Sequence, residues 1–260
     1  MITSLQNQRI KDVVKLANAR ERRQQNLFVI EGARELSLAL AAGYIIRTLF
    51  VCDELLSRAG EEQSCKLVSQ TENVSADVFR KMAYREESDG VIAVAESRYL
   101  PLTSIRLPAN PFVIVLEAVE KPGNLGAVLR TADAARVDAV IICDPKTDIY
   151  NPNTIRSSIG CVFTQQVAVC TSDEAFRWLK QSDIRILAAE LTASQWYHQT
   201  DFTQPSAIVM GTEADGLTGF WLHNADSRIK IPMRGYIDSL NVSVSTAVLT
   251  FEAMRQREFC

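Results

Sequence analysis

The stretch that decides the fold lies near the C-terminus, where residues 231–244 read IPMRGYIDSLNVSV. A loop with one proline and one glycine leads directly into Ser239, Leu240 and Asn241, and an amphipathic helix is predicted to begin there. Small polar side chains at a helix start suit a binding pocket, because the first N–H groups of a helix have no partners within it. This stretch therefore predicts a polar site at the start of a C-terminal helix.

Two further glycine-containing segments lie upstream. Residues 124–130 read NLGAVLR, and residues 211–217 read GTEADGL. Each follows a short apolar run, 112–116 or 207–210, that is typical of a buried strand. Polar loops that follow strands of an α/β sheet commonly form one binding site at the sheet edge. We therefore expect all three segments to meet at a single site.

The C-terminal part of the chain alternates strand and helix patterns. Its predicted strands are apolar along their whole length, and they lie at 112–116, 139–142, 186–189 and 207–210. Predicted helices lie at 124–136, 151–159 and 174–180, with a last one from 240. Continuously apolar strands are typical of a parallel sheet covered by helices on both faces. The fold class is therefore predicted to be α/β with a mostly parallel sheet.

The N-terminal third reads as a smaller α/β unit. A helical stripe is predicted at 10–17 and a helix at 33–42; strands are predicted at 28–30, 45–51, 66–68 and 91–94. Residues 97–111 contain three prolines and little periodicity, which is typical of a linker. We therefore predict a first domain at 1–96, a linker at 97–111 and a second domain at 112–260.

The composition is that of an ordinary globular protein, with 47% hydrophobic and 23% charged residues. No apolar stretch reaches the roughly 18 residues of a membrane span, and the N-terminus lacks the pattern of a signal peptide. The six cysteines include no C-x-x-C pair. We therefore expect a cytoplasmic protein with no membrane partner, no metal and no disulfide framework.

The net charge of −3 argues against indiscriminate coating of nucleic acid. Residues 1–25, however, contain six basic and two acidic residues, a local excess of four positive charges. Two interpretations stay open: a patch that docks on one RNA site, or a solvated helix face.

In this order, the three segments resemble the motifs of the SpoU (TrmH) family of RNA ribose 2′-O-methyltransferases. The motif Asn-x-Gly-x-x-x-Arg is matched at 124–130, and Gly-x-Glu-x-x-Gly-Leu at 211–217. Ile-Pro-Met-x-Gly followed by Ser-Leu-Asn-Val-Ser-Val is matched at 231–244. The resemblance implies a SPOUT-type C-terminal domain with a trefoil knot that binds S-adenosylmethionine, and a homodimer. Looser matches at 4–7, 22–23 and 28–32 imply an N-terminal substrate-binding domain similar to a small ribosomal RNA-binding fold.

The resemblance also implies roles for individual residues. The predicted catalytic residues are Arg130, Asn124, Glu213, Ser239 and Asn241. The predicted cofactor-binding residues are Met210, Gly211, Gly216, Ile231, Met233 and Leu240. The predicted RNA-binding residues are Arg22, Arg23 and Arg156.

Methyl transfer to a ribose requires the 2′-oxygen, the methyl carbon and the sulfur in line, and a proton must leave an oxygen that is protonated at neutral pH. Arg130 is predicted beside that oxygen. A guanidinium loses its proton only above a pKa of ~12, so two roles stay open, a base or a fixed positive charge. Glu213 is expected to pair with Arg130 or another cation of the site. Helix capping is an alternative role for Asn124, Ser239 and Asn241.

The resemblance favours ribosomal RNA as the expected substrate, because simpler family members without the added domain tend to act on transfer RNA. Transfer RNA stays an alternative, as does a non-catalytic RNA-binding protein that assists ribosome assembly. A dinucleotide-dependent oxidoreductase is disfavoured, because no G-x-G-x-x-G follows the first core strand.

Overall fold

The computed structural model describes residues 1–86 and 88–259, which divide into two compact units. Unit 1 comprises Met1–Arg98 and Asp148–Thr164, and unit 2 comprises Tyr99–Thr147 and the chain from residue 165. Residues 148–164, which the predicted boundaries placed in the second domain, pack instead within unit 1.

Helices and strands alternate along most of the described chain. The helices are α1 Gln8–Lys15, α2 Ala19–Gln25, α3 Ala33–Ala41, α4 Arg58–Lys66, α5 Ala76–Met82, α6 Pro122–Ala134, α7 Pro152–Ser157, α8 Cys161–Thr164, α9 Ser172–Gln181, α10 Gly219–Asn224 and α11 Val242–Gln256. The strands are β1 Leu27–Glu31, β2 Ile46–Val51, β3 Thr71–Asn73, β4 Val91–Glu96, β5 Phe112–Glu117, β6 Ala139–Cys143, β7 Val167–Cys170, β8 Arg185–Ala189, β9 Gln195–Trp196, β10 Ser206–Met210 and β11 Ser227–Lys230.

Unit 1 is built on a four-stranded sheet with the order β1-β4-β2-β3. The strand β4 runs antiparallel to β1 and β2, whereas β3 is parallel to β2. Apolar residues of α1, including Ile10 and Val13, pack with Phe50, Ile92 and Val94 of the sheet. The strand predicted at 66–68 is wrong, because α4 ends at Lys66 and residues 68–70 form a 3₁₀ turn. An apolar run this short carries no periodicity that separates a strand from a helix end.

Unit 2 contains a seven-stranded sheet in the order β7-β6-β5-β10-β8-β11-β9. Every pairing in it is parallel, so the predicted mostly parallel α/β fold is confirmed. The central strands β5, β6 and β10 are buried along their whole length, which explains their uninterrupted apolar sequences. The trefoil knot stays a prediction.

The adjacent strands β5 and β10 bring two of the predicted segments side by side. The N-terminal end of α6 follows β5, and the loop 211–217 follows β10. The loop 231–241 follows β11 and leads into α11, which packs against α6. None of the helices in the described chain has the length and apolar character needed to span a bilayer.

Candidate active site

A carboxylate–amide network joins the three predicted segments in unit 2. Asn124 Nδ2 donates to Glu213 Oε1 at 2.7 Å, and Asn241 Nδ2 donates to the same oxygen. Asn241 Nδ2 also lies 3.2 Å from Asn124 Oδ1. Lys121 Nζ forms an ion pair with the other oxygen, Glu213 Oε2. The structure thus brings together three of the five predicted catalytic residues and adds one lysine.

The starts of two helices position this network. Pro122 occupies the first turn of α6, where its missing N–H is not needed, and Asn124 follows in that turn. Asn241 is the N-cap of α11, because its Oδ1 accepts from Ser243 N at 3.0 Å. Its Nδ2 is left to face Glu213. Asn241 therefore has both of the roles that the sequence left as alternatives. Its amide oxygen caps α11, and its amide nitrogen binds Glu213 in the site.

Hydrogen bonding from Lys121 lowers the pKa of Glu213 below its usual range. Burial opposes this effect, whereas hydrogen bonds from Asn124 and from the backbone N–H of Val242 add to it. The N-terminal ends of α6 and α11 also favour a negative charge here. Glu213 is therefore a carboxylate at neutral pH, and both of its oxygens are engaged in orienting neighbouring side chains.

Arg130 lies on α6, beyond Asn124, and its side chain is exposed. It forms no hydrogen bond or ion pair with any residue that the structure describes, so Arg130 does not pair with Glu213. The cation that pairs with Glu213 is Lys121. Ser239 is also exposed, and its hydroxyl donates to Asp238 Oδ1 at 3.0 Å. Both Arg130 and Ser239 are free to meet a substrate.

A cavity of about 550 Å³ lies beside this network, also within unit 2. All six predicted cofactor-binding residues line it: Met210, Gly211, Gly216, Ile231, Met233 and Leu240. Glu213 and Ser239 line it as well, so the network and the cavity form one continuous site. Its described lining also includes four acidic residues and a single lysine, namely Glu190, Glu213, Asp215, Asp238 and Lys230. This charge balance suits a cationic ligand.

The loop 211–217 depends on its glycines. Thr212 and Gly216 exchange backbone hydrogen bonds, N to O, of 3.0 and 3.2 Å. A Cβ added to Gly211 would lie 2.1 Å from the carbonyl carbon of Gly216. Gly216 itself has φ +69°, a backbone conformation that L side chains rarely adopt. Gly211 is therefore required for the close approach of the two ends of the loop, whereas glycine at 216 avoids backbone strain.

The loop is held at its far end by Glu117, a buried residue that the sequence reasoning missed. Thr218 donates to Glu117 from its backbone N–H at 2.8 Å and from its hydroxyl at 2.7 Å. Glu117 is the last residue of β5. A charged residue directly after a five-residue apolar run was the signal that could have identified it, whereas nothing local marked Lys121.

The predicted RNA-binding residues all lie in unit 1, but they differ in exposure. Arg22 is only 2% exposed, and its Nε donates to Asp148 Oδ2 at 2.7 Å. Its guanidinium also donates to the carbonyl oxygens of Leu16 and Ala17. The prediction for Arg22 is therefore corrected to a structural ion pair. Arg23 and Arg156 are exposed, and their role in RNA binding stays a prediction.

Fold and site together define a class of protein: an α/β enzyme with a cofactor-sized cavity at the carboxyl edge of a parallel sheet. The chain belongs to the SpoU rRNA methylase family, whose sequence model matches residues 111–251. The model of the MRM3-like substrate-binding domain matches residues 7–93. The family predicted from the three motifs is thereby confirmed.

Similarity to known proteins extends over nearly the whole chain. The 23S rRNA (guanosine(2553)-2′-O)-methyltransferase RlmP of Bacillus subtilis (strain 168) is 30% identical over 250 residues, 96% of this chain and 97% of that protein. A crystal structure of an RNA 2′-O ribose methyltransferase is 38% identical, with a TM-score of 0.87 and 99% of each chain covered. The AdoMet-bound rRNA methyltransferase from Sinorhizobium meliloti is 30% identical, with a TM-score of 0.90; the match covers 98% of this chain and 97% of that one.

Proposed function

We propose that this protein transfers the methyl group of S-adenosylmethionine to a ribose 2′-oxygen of 23S ribosomal RNA. The observation that carries the proposal is the continuity of the cavity with the Glu213 network, because a methyl donor and its acceptor must meet at one point. The similarity to a 23S rRNA methyltransferase over 96% of the chain supports ribosomal rather than transfer RNA.

The residues of the cavity fit this cofactor. Its volume lies within the roughly 300–1,000 Å³ of small-molecule sites. Backbone groups at Gly211, Ile231 and Leu240 would hold the adenosine, with Met210 and Met233 as apolar walls. The acidic lining would favour the positive sulfonium, which supplies an electrophilic methyl group when the cofactor is bound.

The side chains around the cavity have distinct proposed roles. Glu213 fixes Asn124 and Asn241, so their amides keep one orientation when RNA arrives. Arg130 acts as a fixed positive charge for the developing alkoxide, because a guanidinium stays protonated in proteins. Ser239 positions the target nucleotide. Glu213 is a weak base because its pKa is lowered, so the 2′-OH proton is released to water.

We propose that the protein acts as a homodimer in the cytoplasm, where ribosomal RNA is found. Val244 and Phe251 lie seven residues apart on α11, so they share one face, and they are 48% and 43% exposed. A second copy would cover this face. Light scattering should give twice the chain mass, and a monomeric mass would contradict the dimer.

The function is tested by incubating the purified protein with labelled cofactor and RNA from a strain that lacks the gene. Label should enter 23S rRNA at a 2′-O-methyl position, and the Arg130→Ala variant should transfer it at least about 100-fold more slowly. Label confined to transfer RNA would overturn the ribosomal assignment. If the protein binds S-adenosylhomocysteine but labels no RNA, and Arg130→Ala restores the deletion phenotype, the protein is a non-catalytic RNA-binding factor instead.

A further inference from the structure

A second cavity, of about 130 Å³, lies within unit 1. It is enclosed by α1, the end of β1, the end of α5 with the turn that follows, and α7. Its walls are mainly apolar and include Val13, Val14, Val29, Met82 and Ile155. None of the residues predicted for methyl transfer lines it.

The rim of this cavity carries positive charge and one aromatic ring. Lys81, Tyr84 and Arg85 line it, and Tyr84 is 53% exposed. Arg156 follows Ile155, is exposed, and forms no ion pair with any residue in the described part of the chain. An exposed tyrosine at the mouth of an apolar cavity leaves a flat ring available for stacking.

Two buried carboxylates, Glu31 and Glu35, hold the turn that carries Tyr84 in place. Glu31, only 7% exposed, accepts from the backbone N–H of Tyr84 at 2.7 Å and from that of Arg85 at 3.2 Å. Arg85 is held a second time, since its guanidinium donates to Glu35 at 2.5 Å. The backbone of this turn and the guanidinium of Arg85 therefore have fixed positions.

We propose that this cavity receives one unstacked nucleobase of the RNA substrate. The inference rests on the proposed function, which makes RNA the substrate. An apolar slot alone would accept many side chains. Two exposed cations favour a polyanion here: Lys81, which lines the cavity, and Arg156, which lies near enough to the cavity-lining Glu31 to lower its pKa. Among polyanions, RNA single strands carry flat bases that stack on aromatic side chains. The base enters between Tyr84 and Val14, and its flanking phosphates meet Lys81 and Arg156.

The floor of the cavity adds a preference among bases. Glu31 lines the cavity, and its carboxylate oxygens can accept further hydrogen bonds. Burial raises the pKa of Glu31, opposed by the backbone N–H groups of Tyr84 and Arg85. In its ionised form this side chain can only accept, so it favours a base with an amino group over one that presents only carbonyl oxygens.

The test compares Tyr84→Ala, Tyr84→Phe and the cavity-filling Val14→Phe with the control Tyr99→Ala, an exposed tyrosine of unit 2. For each variant, the KM for RNA and the kcat are measured by methyl transfer, and S-adenosylhomocysteine binding by calorimetry. We expect Tyr84→Ala and Val14→Phe to raise the KM for RNA about tenfold, because stacking on an aromatic side chain contributes this much per base. The kcat and S-adenosylhomocysteine affinity should not change, and Tyr84→Phe should behave as the wild type.

A KM for Tyr84→Ala within twofold of the Tyr99→Ala value, in an enzyme that methylates RNA, would overturn the inference. So would an ultraviolet cross-link of the bound RNA that maps only to peptides outside 81–85. If the wild-type protein methylates no RNA, the proposed function fails, and the nucleobase site fails with it. Loss of S-adenosylhomocysteine binding in Tyr84→Ala would show a structural role and would also overturn the inference.

Discussion

Lys121 Nζ and Glu213 Oε2 form an ion pair that links the start of α6 to the loop after β10. The two residues are 92 positions apart in the chain. The pair holds Glu213 as an acceptor for the side chains of Asn124 and Asn241. Lys121, which belongs to none of the three motifs, thus holds the central carboxylate of the site in place.

Removal of this lysine is expected to change the pH dependence of methyl transfer. Lys121 lowers the pKa of Glu213, so Lys121→Met should raise it. A depressed carboxylate pKa keeps the ionised form at lower pH, and the variant should lose that form earlier as the pH falls. The acidic limb of the kcat/KM profile should therefore move to higher pH. The control Lys180→Met breaks an ion pair with Asp226 away from the network and should leave the limb in place. Superimposable profiles would contradict this role of Lys121.

Arg130 is expected to act on the chemical step. Loss of one fixed charge that stabilises a developing oxyanion typically costs about 100- to 1,000-fold in kcat. Arg130→Ala should show a loss of this size, with S-adenosylhomocysteine affinity unchanged, because Arg130 does not line the cavity. Arg177→Ala, which removes an exposed arginine paired with Asp173, is the matched control. Single-turnover kinetics would separate chemistry from RNA binding, and a kcat within threefold of wild type would remove Arg130 from the mechanism.

Gly211→Ala is expected to weaken cofactor binding. The added methyl group would lie 2.1 Å from the Gly216 backbone, so the loop must move away from the cavity. We expect the affinity for S-adenosylhomocysteine to fall more than tenfold, which corresponds to about 1.4 kcal/mol. Gly219→Ala is the control, since its Cβ would meet only His223 at an ordinary 3.6 Å. Calorimetry together with thermal melting checks the result. Unchanged affinity in a folded Gly211→Ala protein would show that the loop does not form the cofactor site.

Asp148→Ala is expected to destabilise the protein strongly. Asp148 and Arg22 form an ion pair in which the side chains are 5% and 2% exposed. Removal of one partner leaves the other charge buried, which typically costs about 3–5 kcal/mol. Arg47→Ala, which breaks a more exposed pair with Glu96, should cost less than about 1 kcal/mol. Urea denaturation gives both values. A loss below 1 kcal/mol for Asp148→Ala would mean that the pair is not maintained in solution.

The sequence predicted those parts of the site in which local pattern and final position coincide. Met210 and Gly211 come at the end of an apolar strand, and Asn241 precedes an amphipathic helix. Strand ends and helix starts can both be recognised within a few residues. Because the strands of the sheet are parallel, the residues that follow their carboxyl ends lie together at one edge. The core strands of unit 2 were found for the same reason.

The errors arose where the position of a side chain depends on distant chain. Arg22 stands in a basic run that suggested exposure, but its partner Asp148 comes 126 residues later. Lys121 carries no signal until Glu213 is placed beside it. Composition along 148–164 likewise gives no indication that this segment packs in unit 1. The charge and hydropathy of a residue are properties of that residue alone, whereas its burial depends on distant parts of the chain that pack against it.

The return of residues 148–164 to unit 1 makes the polypeptide pass between the units three times, after Arg98, after Thr147 and after Thr164. The N-terminal unit is consequently not a detachable appendage. Deletion of residues 1–98 would strip Phe163 and Tyr150 of the Phe28 ring on which they stack. A truncated fragment beginning at Tyr99 should therefore expose the apolar side chains of residues 148–164 to water and precipitate.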